Sequence, residues 1–278
     1  MSRCASRATR WRQRDPSVPG GGPANEHDYS GGLLLRYLLT GQELFREAVI
    51  GLADWVINMD DGRQHVLGWV TSAPTGMASS TGSPLYHGPG RGPAYSIQTL
   101  LNAHQLTGEL RYLAKAEELL TRCIHPDDDI EGLNLLDAER RWYYTVFLQA
   151  VGGYLLHKER RGDVDRTYRY AQASLVRYAR WMAEHEYPYL HKPEILEYPT
   201  ETWAAMDMRK SEVFCHAARC VDRDERDRFT ERAGYFFRYS VRTLRESATG
   251  HLTRPRVVLL SNGVGFSWTA VNGATSPA

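Results

Sequence analysis

The sequence predicts an all-α protein assembled from helix hairpins. Three observations predict it. Apolar residues recur at three- and four-residue spacing through most of the chain. One stop signal, Leu-Thr-Gly, closes two separate helices, at Leu39-Thr40-Gly41 and at Leu106-Thr107-Gly108, an internal echo of the kind that marks repeat architectures. Long connections rich in Gly, Ser and Pro alternate with these tight turns.

Residues 1–25 read as a disordered tail, because Arg, Ser, Pro and Gly dominate and Pro19-Gly20 through Gly22-Pro23 sustains no element. Residues 26–260 read as the helix-hairpin domain. Its first hairpin spans 27–59. Ser30 is placed to cap a helix carrying Leu33, Leu34, Leu35, Tyr37, Leu38 and Leu39, apolar nearly all round and so expected to be buried on several sides. Gly41 ends it at the left-handed C-terminal position. The second helix places Phe45, Ala48, Val49, Leu52, Trp55 and Val56 on one stripe and Glu43, Arg46, Glu47 and Asp54 on the other face. Residues 60–93 form a connection long enough to be expected to be functional or disordered. It holds His65, Trp69, Tyr86, His87 and the run Gly88-Pro89-Gly90-Arg91-Gly92-Pro93.

The second hairpin, 94–124, repeats the first: Tyr95 to Leu106, a stop at Thr107-Gly108, then a stripe of Leu110, Leu113, Ala116, Leu120 and Ile124. The third, 138–185, runs through Tyr144, Phe147, Leu148, Val151 and Leu155, breaks at Gly162, and restarts with Asp163 as the cap of a stripe from Tyr168 to Met182. Residues 186–200, with Pro188, Pro193 and Pro199, form a further irregular link. The fourth hairpin, 200–246, has Thr200 and Asp224 as its caps and Phe229, Ala233, Phe236, Ser240 and Leu244 as its last stripe. Val257 to Leu260 read as a short strand-like or buried run, and 261–278 as a flexible tail. In each pair the first helix is the more apolar. That pattern puts first helices in an inner layer and second helices outside it, in an (α/α) toroid or a superhelical solenoid.

The composition excludes several function classes. Lys plus Arg is 34 and Asp plus Glu is 33, a net charge of +1, so no long-range field favours nucleic acid or an anionic membrane. The Arg residues are scattered apart from a cluster between Arg3 and Arg14. No apolar run reaches membrane-span length, and no apolar stretch follows the basic N-terminus as a secretory signal requires. Cys4, Cys123, Cys215 and Cys220 lack metal-clip spacing and read as free thiols in a reducing, cytoplasmic setting. Sequence motifs for phosphate loops, zinc helices and serine elbows are missing as well. Asp127-Asp128-Asp129 reads as a solvated turn rather than a cation site. No metal and no cofactor is expected. The 16 Tyr and 7 Trp supply the rings that stack on sugars, although such side chains also fill cores.

The stretch from Glu26-His27-Asp28-Tyr29-Ser30-Gly31-Gly32 through Leu39-Thr40-Gly41, followed by Ala53-Asp54-Trp55-Val56, resembles the six-hairpin glycosidase-like superfamily. Arg91-Gly92-Pro93-Ala94-Tyr95 through Leu106-Thr107-Gly108-Glu109 has the same style. The resemblance spans roughly residues 26–246 as helix rhythm with a few signature turns. It implies an (α/α) toroid. Members close that toroid with about six or seven hairpins, so four imply an incomplete one and a truncated chain. It also implies a carbohydrate substrate, since the superfamily holds polysaccharide lyases, unsaturated-uronide hydrolases, other glycosidases and sugar epimerases. Shared fold does not fix shared chemistry.

In such a toroid sugars bind over the starts of the inner helices, which singles out four places. His27-Asp28-Tyr29 offers a His as proton acceptor; capping by Asp28 and packing by Tyr29 is the alternative. His87 through Arg91 to Tyr95 offers an Arg fork for a uronate carboxylate and a Tyr for proton exchange; an ordinary Gly-Pro turn is the alternative. Trp142-Tyr143-Tyr144 offers rings for stacking or for the core. Glu197 to Trp203 offers the carboxylate pair Glu197 and Glu201 that glycoside hydrolysis requires, beside Trp203; a Glu favoured by the helix dipole is the alternative. The expected catalytic residues are His27, Tyr95 and Glu201, and the expected substrate-binding residues are His87, Arg91, Tyr143, Tyr144, Glu197 and Trp203. The expected activity is cleavage of an acidic poly- or oligosaccharide, with β-elimination ahead of hydrolysis. A non-catalytic helical-repeat module that binds glycan or protein is the other class.

Overall fold

The structure, a computed structural model, describes residues 24–64, 68–70, 73–79, 81–263 and 265–266. The expectations for His65, for most of the N-terminal tail and for most of 261–278 lie outside the described residues. Within them the chain is helical, with no strand. It divides into two compact units, Met1–Ile124 and His125–Ala278.

In the first unit, α1 (Ser30–Thr40) turns into α2 (Glu43–Asp60), and α3 (Arg91–Thr107) into α4 (Leu110–Thr121). The Leu-Thr-Gly echo is one turn built twice. Gly41 and Gly108 take φ of +65° and +72°, where a Cβ is strained. Their N–H groups donate to the carbonyls of Tyr37 (2.7 Å) and His104 (2.8 Å). The preceding threonines act alike. Thr40 Oγ1 donates to Arg36 O and accepts from Gln42 N, and Thr107 Oγ1 donates to Ala103 O and accepts from Glu109 N. A charged knot ties α2 to α4: the fully buried Asp60 meets Lys115 Nζ at 2.5 Å and Arg122 Nη1 at 3.0 Å. A carboxylate so enclosed is tolerated only because two cations face it.

In the second unit, the short α5 (Ala138–Arg141) leads into the hairpin α6 (Tyr144–Arg160) and α7 (Arg166–His185). The hairpin α8 (Glu201–Ala218) and α9 (Arg223–Glu246) follows, and then α10 (Thr253–Asn262). Helix α8 is the hub and packs against α6, α7, α9 and α10. Its core is ionic as well as apolar. Lys210 Nζ lies 2.7 Å from Glu186 and 3.0 Å from Asp207, and 3.4 Å from the centre of the Tyr189 ring. All four residues are buried.

The expectation that the first helix of each pair is the more enclosed holds for α3, α6 and α8, which are buried on most sides, while α4, α7 and α9 each bury one stripe. It fails for α1. Only Ser30 and Leu34 are buried there, and Leu35, Leu38 and Leu39 are exposed; α1 packs mainly on α2 and α3. Four local expectations also need correction. Arg91 lies inside the first turn of α3 rather than in the loop, since Pro93 in that turn lacks only an N–H that would go unpaired anyway. Asp165 and Asp222, not Asp163 and Asp224, cap α7 and α9, by accepting from Tyr168 N and Glu225 N. Ser30 does not cap α1; its hydroxyl is spent on Thr99 Oγ1 at 2.8 Å. Val257 to Leu260 are helical, in α10, with Pro255 again in a first turn.

Candidate functional site

The first unit gathers proton-active and charged side chains where the chain enters α1. Glu26 to Ser30 runs alongside α3 in the same direction. Glu26 pairs with Arg91, Tyr29 meets Tyr95, and Ser30 reaches Thr99 and Asn102. The short 3-10 turn Asn25–His27 is pinned by Asn25 Nδ2 on the Met77 carbonyl. The N-cap residues of α1 and α3, Tyr29 and Gly90, provide no side-chain cap. Two helix starts therefore lend partial positive charge to one neighbourhood.

Around Arg91 the arrangement is specific. Its guanidinium, in the first turn of α3, holds the Glu26 carboxylate. Tyr95 stands one turn further on, so both side chains leave the same face of the helix. The Tyr95 ring is 8% exposed and meets the edge of Tyr29 at 4.9 Å. Tyr29 is 57% exposed and in turn meets His27 at 5.9 Å. His27 is exposed. Of the expected residues, Arg91 and Tyr95 thus share one face of α3, and the exposed Tyr29 ring, packed against Tyr95 and His27, links His27 to them.

Asp28 lies within this group and is the residue the sequence reading undervalued. It is 3% exposed, and neither carboxyl oxygen has a hydrogen-bond partner. It caps no amide of α1. Burial lifts its carboxyl to about 7, against a smaller downward pull from the Thr99 hydroxyl. That hydroxyl's own hydrogen bonds go to the Asp28 carbonyl (3.1 Å) and to Ser30. Asp28 therefore exchanges its proton near neutral pH, unlike an ordinary surface carboxylate. His87 is held elsewhere: its ring contacts the Leu85 carbonyl at 2.8 Å and Cys123 Sγ at 3.4 Å, and its N–H donates to Arg122 O. It anchors the loop to the end of α4.

In the second unit several expected ligands turn out to be framework. Tyr144 is fully buried, and its hydroxyl donates to Glu186 in the ionic core, so no sugar can stack on it. The Trp203 ring packs at 5.1 Å against Tyr189, and its indole N–H donates to Tyr198 O at 3.0 Å, which makes it part of the apolar cluster beneath α8. Tyr143 is half-buried beside Trp142. Glu197 and Glu201 are held by different partners. The Glu197 N–H donates to Glu139 at 2.7 Å, and the Glu201 carboxylate accepts from Ser247 at 3.1 Å. The acidic run is a loop staple: Asp128 accepts from Tyr178 and from His125 N, and Asp129 from Gly132 N.

A second polar group, not foreseen, lies on α8. Between Ala204 and Ala218 every residue is buried except Arg209, Glu212 and His216. Their spacing forms one stripe. The Gln149 side chain organises it, donating to Glu212 and accepting from Arg209 at 2.8 Å. The His216 ring lies against Gly152, where a Cβ would stand 2.2 Å from its Cγ. Burial raises Glu212 to about 7 and lowers His216 to about 4, leaving a protonated acid and a neutral base 3.9 Å apart near pH 6. Regular helix spacing in the sequence carried this signal, but only the burial of the rest of α8 singles these three residues out.

Among the described residues no group of three His, Cys, Asp or Glu side chains is placed to hold a metal ion, and no helix is long and apolar enough to cross a membrane. Compared with protein-family models, curated proteins and solved structures, the chain finds no match.

Proposed function

We propose that the chain is a carbohydrate-active enzyme that cleaves an acidic poly- or oligosaccharide by β-elimination. One observation carries the reading. Arg91 already binds a carboxylate, that of Glu26, one helical turn from Tyr95, whose ring meets Tyr29 and through it His27. In the reaction a uronate carboxylate replaces Glu26 on the guanidinium. Neutralising that carboxylate acidifies the neighbouring C-5 proton. His27, an exposed imidazole, takes this proton as the general base. The electron pair left at C-5 forms the C-4=C-5 double bond as the C-4–O bond breaks, and the Tyr95 hydroxyl protonates the departing oxygen. Asp28, neutral for part of the time near pH 7, adds little negative charge against the incoming carboxylate. The three described cysteines, Cys123, Cys215 and Cys220, are free thiols, which supports a reducing, cytoplasmic setting.

The test is turnover of uronate-containing polysaccharides followed by the ultraviolet absorbance of the unsaturated product. Activity is expected from the parent chain, with a loss of a hundredfold or more in Tyr95→Phe and Arg91→Gln, on the order of a general-acid and a charge-clamp contribution. Glu201→Gln is expected to retain it. Full activity in both of the first two variants would remove the assignment. Hydrolysis is the second reading, and one observation favours it: Glu212, a carboxyl lifted to about 7 and partly open on α8, is better suited to act as a general acid than the Glu197 and Glu201 pair. A hydrolase yields saturated product and loses activity in Glu212→Gln.

A further inference from the structure

We propose that a groove along the C-terminal half of α9 binds the polymer chain of an acidic polysaccharide; the choice of ligand rests on the acidic-substrate reading above. The groove measures about 520 Å³ and is lined by Phe237, Arg238, Val241, Arg242, Arg245 and Glu246. Phe237 and Val241 are half-buried and form its apolar floor, and the three arginines are exposed. Spaced four and then three residues apart, Arg238, Arg242 and Arg245 leave the helix on one face over roughly 10 Å.

These guanidiniums differ from others on the same helix. Arg226 donates to the carbonyls of Ala218 and Val221, Arg228 pairs with Glu184, and Arg232 donates to the Glu186 carbonyl. Arg238, Arg242 and Arg245 pair with no carboxylate among the described residues. Arg242 and Arg245 also complement the negative end of the helix dipole, but Arg238 stands two turns earlier, beyond the reach of that effect. Glu246 offsets one of the three charges, which leaves the groove cationic.

A cationic groove with an aromatic floor fits a polyuronate. Planar guanidinium forks pair with successive carboxylates, and the Phe237 ring edge offers apolar surface to the C–H face of a sugar ring. Nucleic acid shares the negative charge but fits less well. The whole chain carries only +1, and no broad positive field surrounds the three arginines.

The experiment compares three forms of the full chain, each carrying Tyr95→Phe so that the polymer is not consumed. One has no further change, one carries R238Q/R242Q/R245Q, and one carries R160Q/R161Q/R166Q, which removes the same charge from exposed positions of the same unit. Affinity for polygalacturonate is measured across a series of salt concentrations. The groove variant is expected to bind roughly tenfold or more weakly, with the salt slope reduced by about two, the value for three lost ion contacts on a single-stranded polyanion. The control variant is expected to stay within about twofold of the parent. Equal losses in both variants, an unchanged groove variant, or a parent that does not bind would overturn the proposal. So would tighter binding of single-stranded DNA lost through the same three substitutions, which would give the groove to nucleic acid. Arginine-dependent binding, with no unsaturated product from the chain that retains Tyr95, leaves the groove standing and removes the elimination reading. Unsaturated product from the chain that retains Tyr95, with unchanged polymer binding in the groove variant, removes the groove alone.

Discussion

Replacing Asp28 by Asn should make the protein more stable in mild alkali and leave it almost unchanged in acid. Asp28 is 3% exposed, neither of its oxygens is hydrogen-bonded, and burial lifts its carboxyl from an ordinary value of 3.8 to about 7. Because the folded value lies above the unfolded one, the unfolded chain gives up this proton first as pH rises. Stability is therefore lost progressively from about pH 4 and the loss is complete once pH passes about 7. A shift of this size corresponds to roughly 4 kcal/mol. The Asn amide also goes without partners and carries its own burial penalty of about 1–3 kcal/mol, as does the neutral acid it replaces, so the two nearly cancel at low pH. The assay is urea denaturation of parent and D28N at intervals from pH 4 to pH 8, with the difference between the two curves as the readout; other titrating groups cancel in that difference. The difference should grow by roughly 4 kcal/mol in favour of Asn across the range. Parallel curves would refute the reasoning, since they would mean that Asp28 ionises as freely in the folded chain as in the unfolded one.

Two further outcomes follow from the second unit. Gly152→Ala places a Cβ 2.2 Å from His216 Cγ and should destabilise by about 1–3 kcal/mol; pairing it with His216→Ala should restore most of that in a double-mutant cycle of urea midpoints, and strict additivity would disprove the contact. Lys210→Met leaves the buried carboxylates of Glu186 and Asp207 without their cation and should cost about 3–5 kcal/mol at pH 8, less at pH 5 where Asp207, raised to about 7 by burial, is protonated. A thermal melt showing the same loss at both pH values would contradict it.

Much of the architecture was legible because it rests on local rules. The Leu-Thr-Gly signal encodes a left-handed glycine after a threonine that bonds back along its helix, and both copies fold as one turn. Amphipathic stripes such as Tyr168 to Met182 announce helices with one buried face. The errors arose where tertiary surroundings decide. A leucine-rich helix reads as enclosed, yet α1 buries only Ser30 and Leu34. Val257 to Leu260 read as strand-like or buried, yet they lie in a helix whose first turn accommodates Pro255.

For the candidate site, sequence could mark residue types but not burial. Asp28 looked like a cap and is a carboxyl without a partner; Tyr144 and Trp203 looked like sugar platforms, but Tyr144 is core and the half-buried Trp203 packs against the apolar cluster. Arg209, Glu212 and His216 form a stripe only once the rest of α8 is seen to be enclosed, and Arg238, Arg242 and Arg245 looked scattered until one helix face gathered them.

The central claim is that Arg91, Tyr95 and His27 carry out an elimination on a uronate. Its most direct test is the mass of the products made from a uronate polymer. Elimination breaks the C-4–O bond without adding water, so the new non-reducing end should be unsaturated and its fragment lighter by one water than a hydrolysis fragment of the same length. A saturated fragment heavier by that water would show hydrolysis instead, and no cleavage of any uronate polymer would contradict the assignment altogether.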